Sequence, residues 1–189
     1  ARAETGESGK LIGIDFTTAM IEKARVNAEK LVFHNVEFRQ GDIENMPVAG
    51  KTADVLVSNC VLNLVPNKDG VFKEIYRVLK TGGHFSISDI VLVGKLPEAL
   101  RKDAEMYAGC VAGAIQKEVY MELINHNGFQ NITIQKEKPI IIPDDILQNY
   151  LSQNEIDNFK KGDIGIFSVT VFAQKPLEEK CCPPGAGCC

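Results

Sequence analysis

Residues 55–64, VLVSNCVLNL, constrain the fold more than any other stretch of the chain. An apolar run ends in a small polar turn with a cysteine in it, and the pattern then predicts a helix from about Asn67 to Lys80, closing at Gly82-Gly83. Strand, turn and helix in this order make the repeating unit of an open α/β sheet, whose ligands bind beyond the carboxyl ends of the strands. Cys60 stands where such a sheet presents reactive side chains. A second cysteine, Cys110, follows in a run of small residues, Ala108-Gly109-Cys110-Val111-Ala112-Gly113.

The rest of the chain keeps the alternation. Lys10 to Asp15 reads as a continuous apolar strand of the kind buried in a parallel sheet. Thr17 or Thr18 caps the next helix, whose expected apolar side is Met20, Ile21, Ala24, Ala28 and Leu31. Asn35 to Arg39, Ala53 to Ser58 and Phe85 to Val91 are the following strands. Pro97 opens a predicted helix carrying Leu100 and Ala104. Another is predicted from Lys117 to Asn127, with Val119, Leu123 and Ile124 inward and Gly128 as its stop. Two late strands, Ile132 to Lys136 and Ile164 to Ala173, flank a Pro-containing, partly helical segment. Alternation in the first half predicts parallel strands there.

Composition excludes some functions. Net charge is −4 over 189 residues, which argues against nucleic acid as a partner. No apolar run reaches the ~18 residues of a membrane span, and the first residues lack a signal-peptide pattern. Two of the six cysteines are isolated in the body, and Cys181, Cys182, Cys188 and Cys189 crowd the end, a distribution unlike a disulfide framework. Reduced thiols and a cytoplasmic protein are expected.

Two carboxylates fall at strand ends. Asp15 is placed to accept both hydroxyls of a nucleotide ribose, and equally to cap the next helix. Asp42, in Gly41-Asp42-Ile43, could take an adenine amino group or simply shape a turn. No glycine-rich turn precedes Lys10. Cys60 and Cys110 would be small buried residues in the bland case. If they face one cavity, soft thiolates favour a thiophilic ion, and the scattered His34, His84 and His126 make zinc a poor fit. The tail pairs, set around Pro-Pro-Gly, could capture or deliver such an ion or be incidental thiols.

Four stretches carry a resemblance: IGIDFTTAMIEKAR, NVEFRQGDIENMPV, DVLVSNCVLNLVPNKDGVFKEIYRVLKTGGHFSISDIVL and DAEMYAGCVAGA. On them the chain resembles the arsenite methyltransferases that use S-adenosylmethionine. EIYRVLKTGG alone is widespread among methyltransferases of this fold, whereas SNCVLNL with a later YAGCVAGA is much narrower.

The resemblance implies a Rossmann-like class I methyltransferase fold with a mostly parallel, doubly wound sheet. Residues 1–135 would be the carboxyl-terminal part of the methyltransferase domain, 136–175 an α+β region completing the sheet, and 176–189 a flexible Cys-rich tail. The family's glycine-rich turn, first central strand and a further cysteine-bearing segment would lie upstream of Ala1, so the domain is expected to be incomplete there. It further implies that Asp15 holds the ribose of the methyl donor, Asp42 and Ile43 contact its adenine, and Asn59 lies beside it. Cys60 and Cys110 would be the catalytic arsenic ligands, with Cys181, Cys182, Cys188 and Cys189 as candidate further ligands. Arsenite or its thiol conjugates would be the substrate, thioredoxin or glutathione the reductant, and S-adenosylmethionine the donor, without a metal cofactor. A monomer free of nucleic acid and membrane is expected. Two rivals are a methyltransferase of a small organic substrate such as a quinone, and a non-catalytic fragment that sequesters arsenite.

Overall fold

The computed structural model of the chain describes residues 2–98, 100, 111, 113–161 and 164–177. Two compact units are present, Ala1–Gly50 and Lys51–Cys189.

The first unit contains α1 (Arg2–Thr5), β1 (Leu11–Asp15), α2 (Thr18–Lys30) and β2 (Val36–Gln40). β1 and β2 run parallel, in register from Leu11 opposite Val36 to Asp15 opposite Gln40. Asn35 fixes the start of this pair, its Nδ2 donating to Gly6 O at 2.9 Å and Gly9 O at 2.6 Å. The first residues form a short helix. Two expectations change. β1 is half-buried along its length instead of buried, since β2 is its one strand neighbour among the described residues. On α2 the inward stripe is Ile21 with half-buried Ala24 and Ala28, while Met20 (51% exposed) and Leu31 (61%) face outward.

The second unit contains β3 (Ala53–Asn59), a 3-10 turn (Leu62–Leu64), α3 (Lys68–Val78) and β4 (Leu79–Val93). It continues with α4 (Lys117–His126), β5 (Gln130–Pro139), α5 (Asp144–Leu147), α6 (Gln153–Lys161) and β6 (Gly165–Gln174). The sheet order is β3-β4-β6-β5, with β3 parallel to β4 and β6 antiparallel to both of its neighbours. The expected parallel first half and α/β class are therefore observed, and the late strands make the sheet mixed.

Asn67 caps α3 as expected, its side chain accepting from Gly70 N at 3.0 Å. The helix ends earlier than expected, at Val78. Leu79 is already extended and pairs with Ala53, so the Gly82-Gly83 stretch lies inside β4 rather than stopping the helix. α4 also differs. Tyr120 and Ile124 face inward at helical spacing, and Val119 is 45% exposed. The Tyr120 ring packs edge-on to Phe72 at 5.5 Å, and Phe85 meets Phe129 at 4.9 Å. Each such side chain, once buried, contributes roughly 1.5–3 kcal/mol. A second cluster gathers Ile90, Leu92, Leu100, Val111, Leu147, Ile156 and Ile166. No helix among the described residues is long and apolar enough to cross a membrane.

The predicted helix from Pro97, apart from Pro97, Glu98 and buried Leu100, lies outside the described residues, as do Cys110 and the tail cysteines Cys181, Cys182, Cys188 and Cys189.

Candidate functional site

Parallel pairing puts Asp15 and Asp42 at the same end of the first unit's sheet. Asp15 is the last residue of β1, and its partner Gln40 stands two positions before Asp42. The main chain closes the gap, with Gly41 N donating to Asp15 O at 3.0 Å. Both carboxylates make the same local turn: Asp15 Oδ1 accepts from Thr17 N at 2.7 Å, and Asp42 Oδ1 from Glu44 N at 2.9 Å. Such a turn uses one oxygen of each. Oδ2 of both has no hydrogen-bond partner among the described residues, so each can accept from a ligand hydroxyl or amine. Ile43, half-buried, follows directly. Thr17 occupies the N-cap position of α2 but makes no side-chain cap bond, and Asp15 supplies the acceptor instead.

In the second unit, β3 ends at the exposed Asn59, and Cys60 turns sharply, with φ +55°. A non-glycine residue in this left-handed region carries a steric cost of roughly 1–2 kcal/mol. Such outliers persist where the surroundings determine them, and they recur at functional sites. Here the determinant is β4. Cys60 N donates to Ser88 O at 2.8 Å, one residue past the end of the β3–β4 ladder.

Beyond that point the edge of β4 is satisfied group by group. Ile90 N donates to Asp89 Oδ1 at 3.0 Å, Asn63 Nδ2 donates to Ile90 O at 2.7 Å, and Leu92 N donates to Ile115 O at 2.9 Å. The turn after Cys60 and the segment after Cys110 are thus laid along one strand edge. Half-buried Cys60 packs against the second cluster, to which Val111, the residue after Cys110, belongs.

Asp89, Asn63 and Gly113 escaped the sequence reading. Phe85, Ile87, Asp89 and Val91 share one fully buried face of β4, so Asp89 is an acid in an apolar row. Burial pushes its carboxyl up to about 6, against the pull of the Ile90 amide and the Lys68 ammonium. The same burial holds the Lys68 ammonium below the usual lysine range, partly offset by Asp89, and drives the Tyr120 phenol well up. The period-two placement of an acid within FSISDIV was the available signal for Asp89. Asn63 and Gly113 gave none, since each looks like an ordinary turn residue.

A family model described as a methyltransferase domain matches residues 1–128. An arsenite methyltransferase of Halobacterium salinarum is 38% identical over 181 residues, which is 95% of this chain and 44% of that protein. One from Aquipseudomonas alcaligenes is 35% identical over 185 residues, 93% of this chain and 51% of that protein. The chain therefore spans about half the length of these relatives. Among solved structures, an arsenic(III) S-adenosylmethionine methyltransferase from Chlamydomonas reinhardtii superposes with a TM-score of 0.74 at 29% identity, over 92% of this chain and 58% of that one. The chain belongs to the methyltransferase domain family, and its likeness to arsenite methyltransferases extends over nearly its whole length.

Proposed function

We propose that this chain is the part of an arsenite methyltransferase that carries two arsenic-binding thiols and the nucleoside-binding carboxylates. The reaction would move a methyl group from S-adenosylmethionine to trivalent arsenic, an arsenic-detoxifying step. The observation that carries the reading is the placement of Cys60. It turns off the end of β3, pinned by Ser88 O, and packs against the cluster that Val111, the residue after Cys110, joins, which suits a ligand that must be aimed.

The roles follow residue by residue. Asp15 Oδ2 would accept from the ribose hydroxyls, Asp42 Oδ2 from the adenine amino group, and Ile43 would lie against the base. Asn59 would stand beside the donor. The donor supplies an electrophilic methyl. Trivalent arsenic bound by thiolates keeps the lone pair that takes it up, so no general base is needed. Cys60 and Cys110 therefore hold and orient rather than move protons. Orientation of this kind can supply roughly 7–11 kcal/mol of a barrier. Lower thiol pKa values would speed loading, since thiolates are the ligands. The tail cysteines Cys181, Cys182, Cys188 and Cys189 would pass the ion on. Thiol ligands of this sort need a reducing compartment and a thiol reductant, thioredoxin or glutathione, so the cytoplasm is the proposed location and a monomer the proposed state.

The test is mass spectrometry of arsenic species after mixing reduced protein, arsenite and S-adenosylmethionine. It should be run on residues 1–189 and on a version extended at its amino terminus. Methylated arsenic is expected from the extended protein, and none from its Cys60→Ser or Cys110→Ser variants, with donor affinity retained. Unchanged turnover in either variant would remove that cysteine from the ligand set. Arsenite bound by both proteins but methylated by neither would favour sequestration.

A further inference from the structure

We propose that Asn63 and Gly113 form a clasp that positions Cys60, so that both are positioning residues for the thiol site. The inference rests on the arsenic-ligand role of Cys60 proposed above.

Three observations carry it. First, Asn63 is buried, and its Nδ2 donates to Ile90 O at 2.7 Å, filling the one carbonyl on the β4 edge between the Cys60 and Ile115 contacts. Its Oδ1 is buried without a hydrogen-bond partner among the described residues. An amide left half-satisfied in the interior is a poor stability device, because an unpaired buried acceptor costs more than an apolar side chain of the same shape. It is a good spacer, because it ties the 3-10 turn to one particular carbonyl.

Second, Gly113 approaches the Asn63 main chain so closely that a Cβ there would lie 1.8 Å from Asn63 O and 2.8 Å from its carbonyl carbon. The obstacle is backbone, which cannot swing aside as a side-chain tip would. Only glycine allows this approach.

Third, the two partners are held from behind. Leu64 N donates to Val61 O and Val65 N to Leu62 O, closing the turn after Cys60. On the other side Leu92 N donates to Ile115 O, anchoring the residues after Gly113. A change at either partner is therefore passed to the turn that begins at Cys60. A Cβ at position 113 needs a shift of more than an ångström, and misplacement by about 1 Å can cost roughly a hundredfold in rate.

The test uses the full chain with Cys181, Cys182, Cys188 and Cys189 changed to serine, so that the tail binds no arsenical. Two quantities are read well below the melting temperature. One is the affinity for phenylarsine oxide, which needs two thiols held together. The other is the alkylation rate of Cys60 by iodoacetamide, resolved by peptide mass spectrometry. Gly113→Ala and Asn63→Ala are expected to lower phenylarsine oxide affinity at least tenfold and to raise Cys60 alkylation several-fold. A stability defect alone would move neither reading in a protein that is still folded. If Gly113→Ala does not fold, Asn63→Ala, which adds no bulk, decides alone.

Cys60→Ser is the reference variant. If it loses affinity while both clasp variants bind within twofold of the parent and alkylate at its rate, the clasp is overturned and the ligand role of Cys60 stands. If Cys60→Ser itself binds as the parent does, the ligand role fails, and the clasp with it.

Discussion

Lys175 Nζ donates to Tyr76 O at 2.7 Å and to Leu79 O at 2.9 Å, and it stands 4.4 Å over the centre of the Tyr76 ring. One ammonium thus closes the end of α3 with the residue that follows β6, joining positions 99 apart in sequence. The carbonyls at a helix carboxyl end carry partial negative charge, and a buried cation answers it.

Lys175→Met keeps most of the aliphatic stem and removes the charge. Charged hydrogen bonds are each worth about 1.5–3 kcal/mol, and the ring contact about 1 kcal/mol more. A loss of roughly 2–4 kcal/mol in unfolding free energy is expected once partial compensation by water is allowed. Urea denaturation checks it, and a loss below about 0.5 kcal/mol, the scale of an ordinary surface change, would show the contact to be incidental.

Asp89 gives a prediction in pH. Its carboxyl has a value of about 6 in the fold against 3.8 ordinarily. Below the lower value it is neutral in both states, and above the higher it is charged in both. Between them the folded chain keeps a proton that the unfolded chain has lost, so its contribution favours the fold in acid and disappears as pH rises to about 6. A rise of that size corresponds to about 3 kcal/mol. In Asp89→Asn, where Lys68 Nζ still has Val65 O at 3.2 Å, that dependence is gone. The stability of the variant relative to the parent should therefore climb by roughly 2.5 kcal/mol between pH 4 and pH 7. Urea titrations of both proteins across that range test it, and parallel curves would refute it.

Period and capping explain what was readable beforehand. Asn67 sits where a cap should and accepts from Gly70 N, and Gly128 ends α4 at φ +83°. Asp15 and Asp42 were placed at strand ends by the apolar runs before them, and β1–β2 pairing brings those two ends together. What escaped notice depends on neighbours distant in sequence. Leu79 has good helical character, yet it is drawn into β4 by pairing with Ala53. Val119 and Tyr120 both suit an inward position, and the Phe72 ring decides for Tyr120. The Asn63–Gly113 contact spans the same fifty-residue interval as the two cysteines and leaves no local pattern. Cys110 and the tail thiols lie outside the described residues.

The backbone at Cys60 separates strain from chemistry. With φ +55°, glycine should be better tolerated there than alanine. Cys60→Gly is expected to be more stable than Cys60→Ala by about 1 kcal/mol, although both lose the thiol and with it any arsenic ligation. Thermal melts of the two variants decide it. Equal stability would mean that the turn adapts freely and that its conformation is no mark of function.

Asp15 has two uses that one pair of substitutions can separate. Asp15→Asn retains Oδ1, so the bond from Thr17 N at 2.7 Å and the start of α2 should survive, while Oδ2 becomes a donor. Asp15→Ala removes both. If the free oxygen receives ribose hydroxyls, Asp15→Asn in the amino-terminally extended protein should bind S-adenosylhomocysteine at least tenfold more weakly, the scale of one charged hydrogen bond of about 1.5 kcal/mol or more. Its melting temperature should stay within a degree or two of the parent's, because surface changes away from such features are worth under about 0.5 kcal/mol. Asp15→Ala should show the same weak binding together with a lower melting temperature, since α2 loses its acceptor. Calorimetric titration and melts of the three proteins suffice. Normal binding by Asp15→Asn with a lowered melt for Asp15→Ala would make Asp15 a helix-start residue alone, and the ribose contact would have to be sought elsewhere.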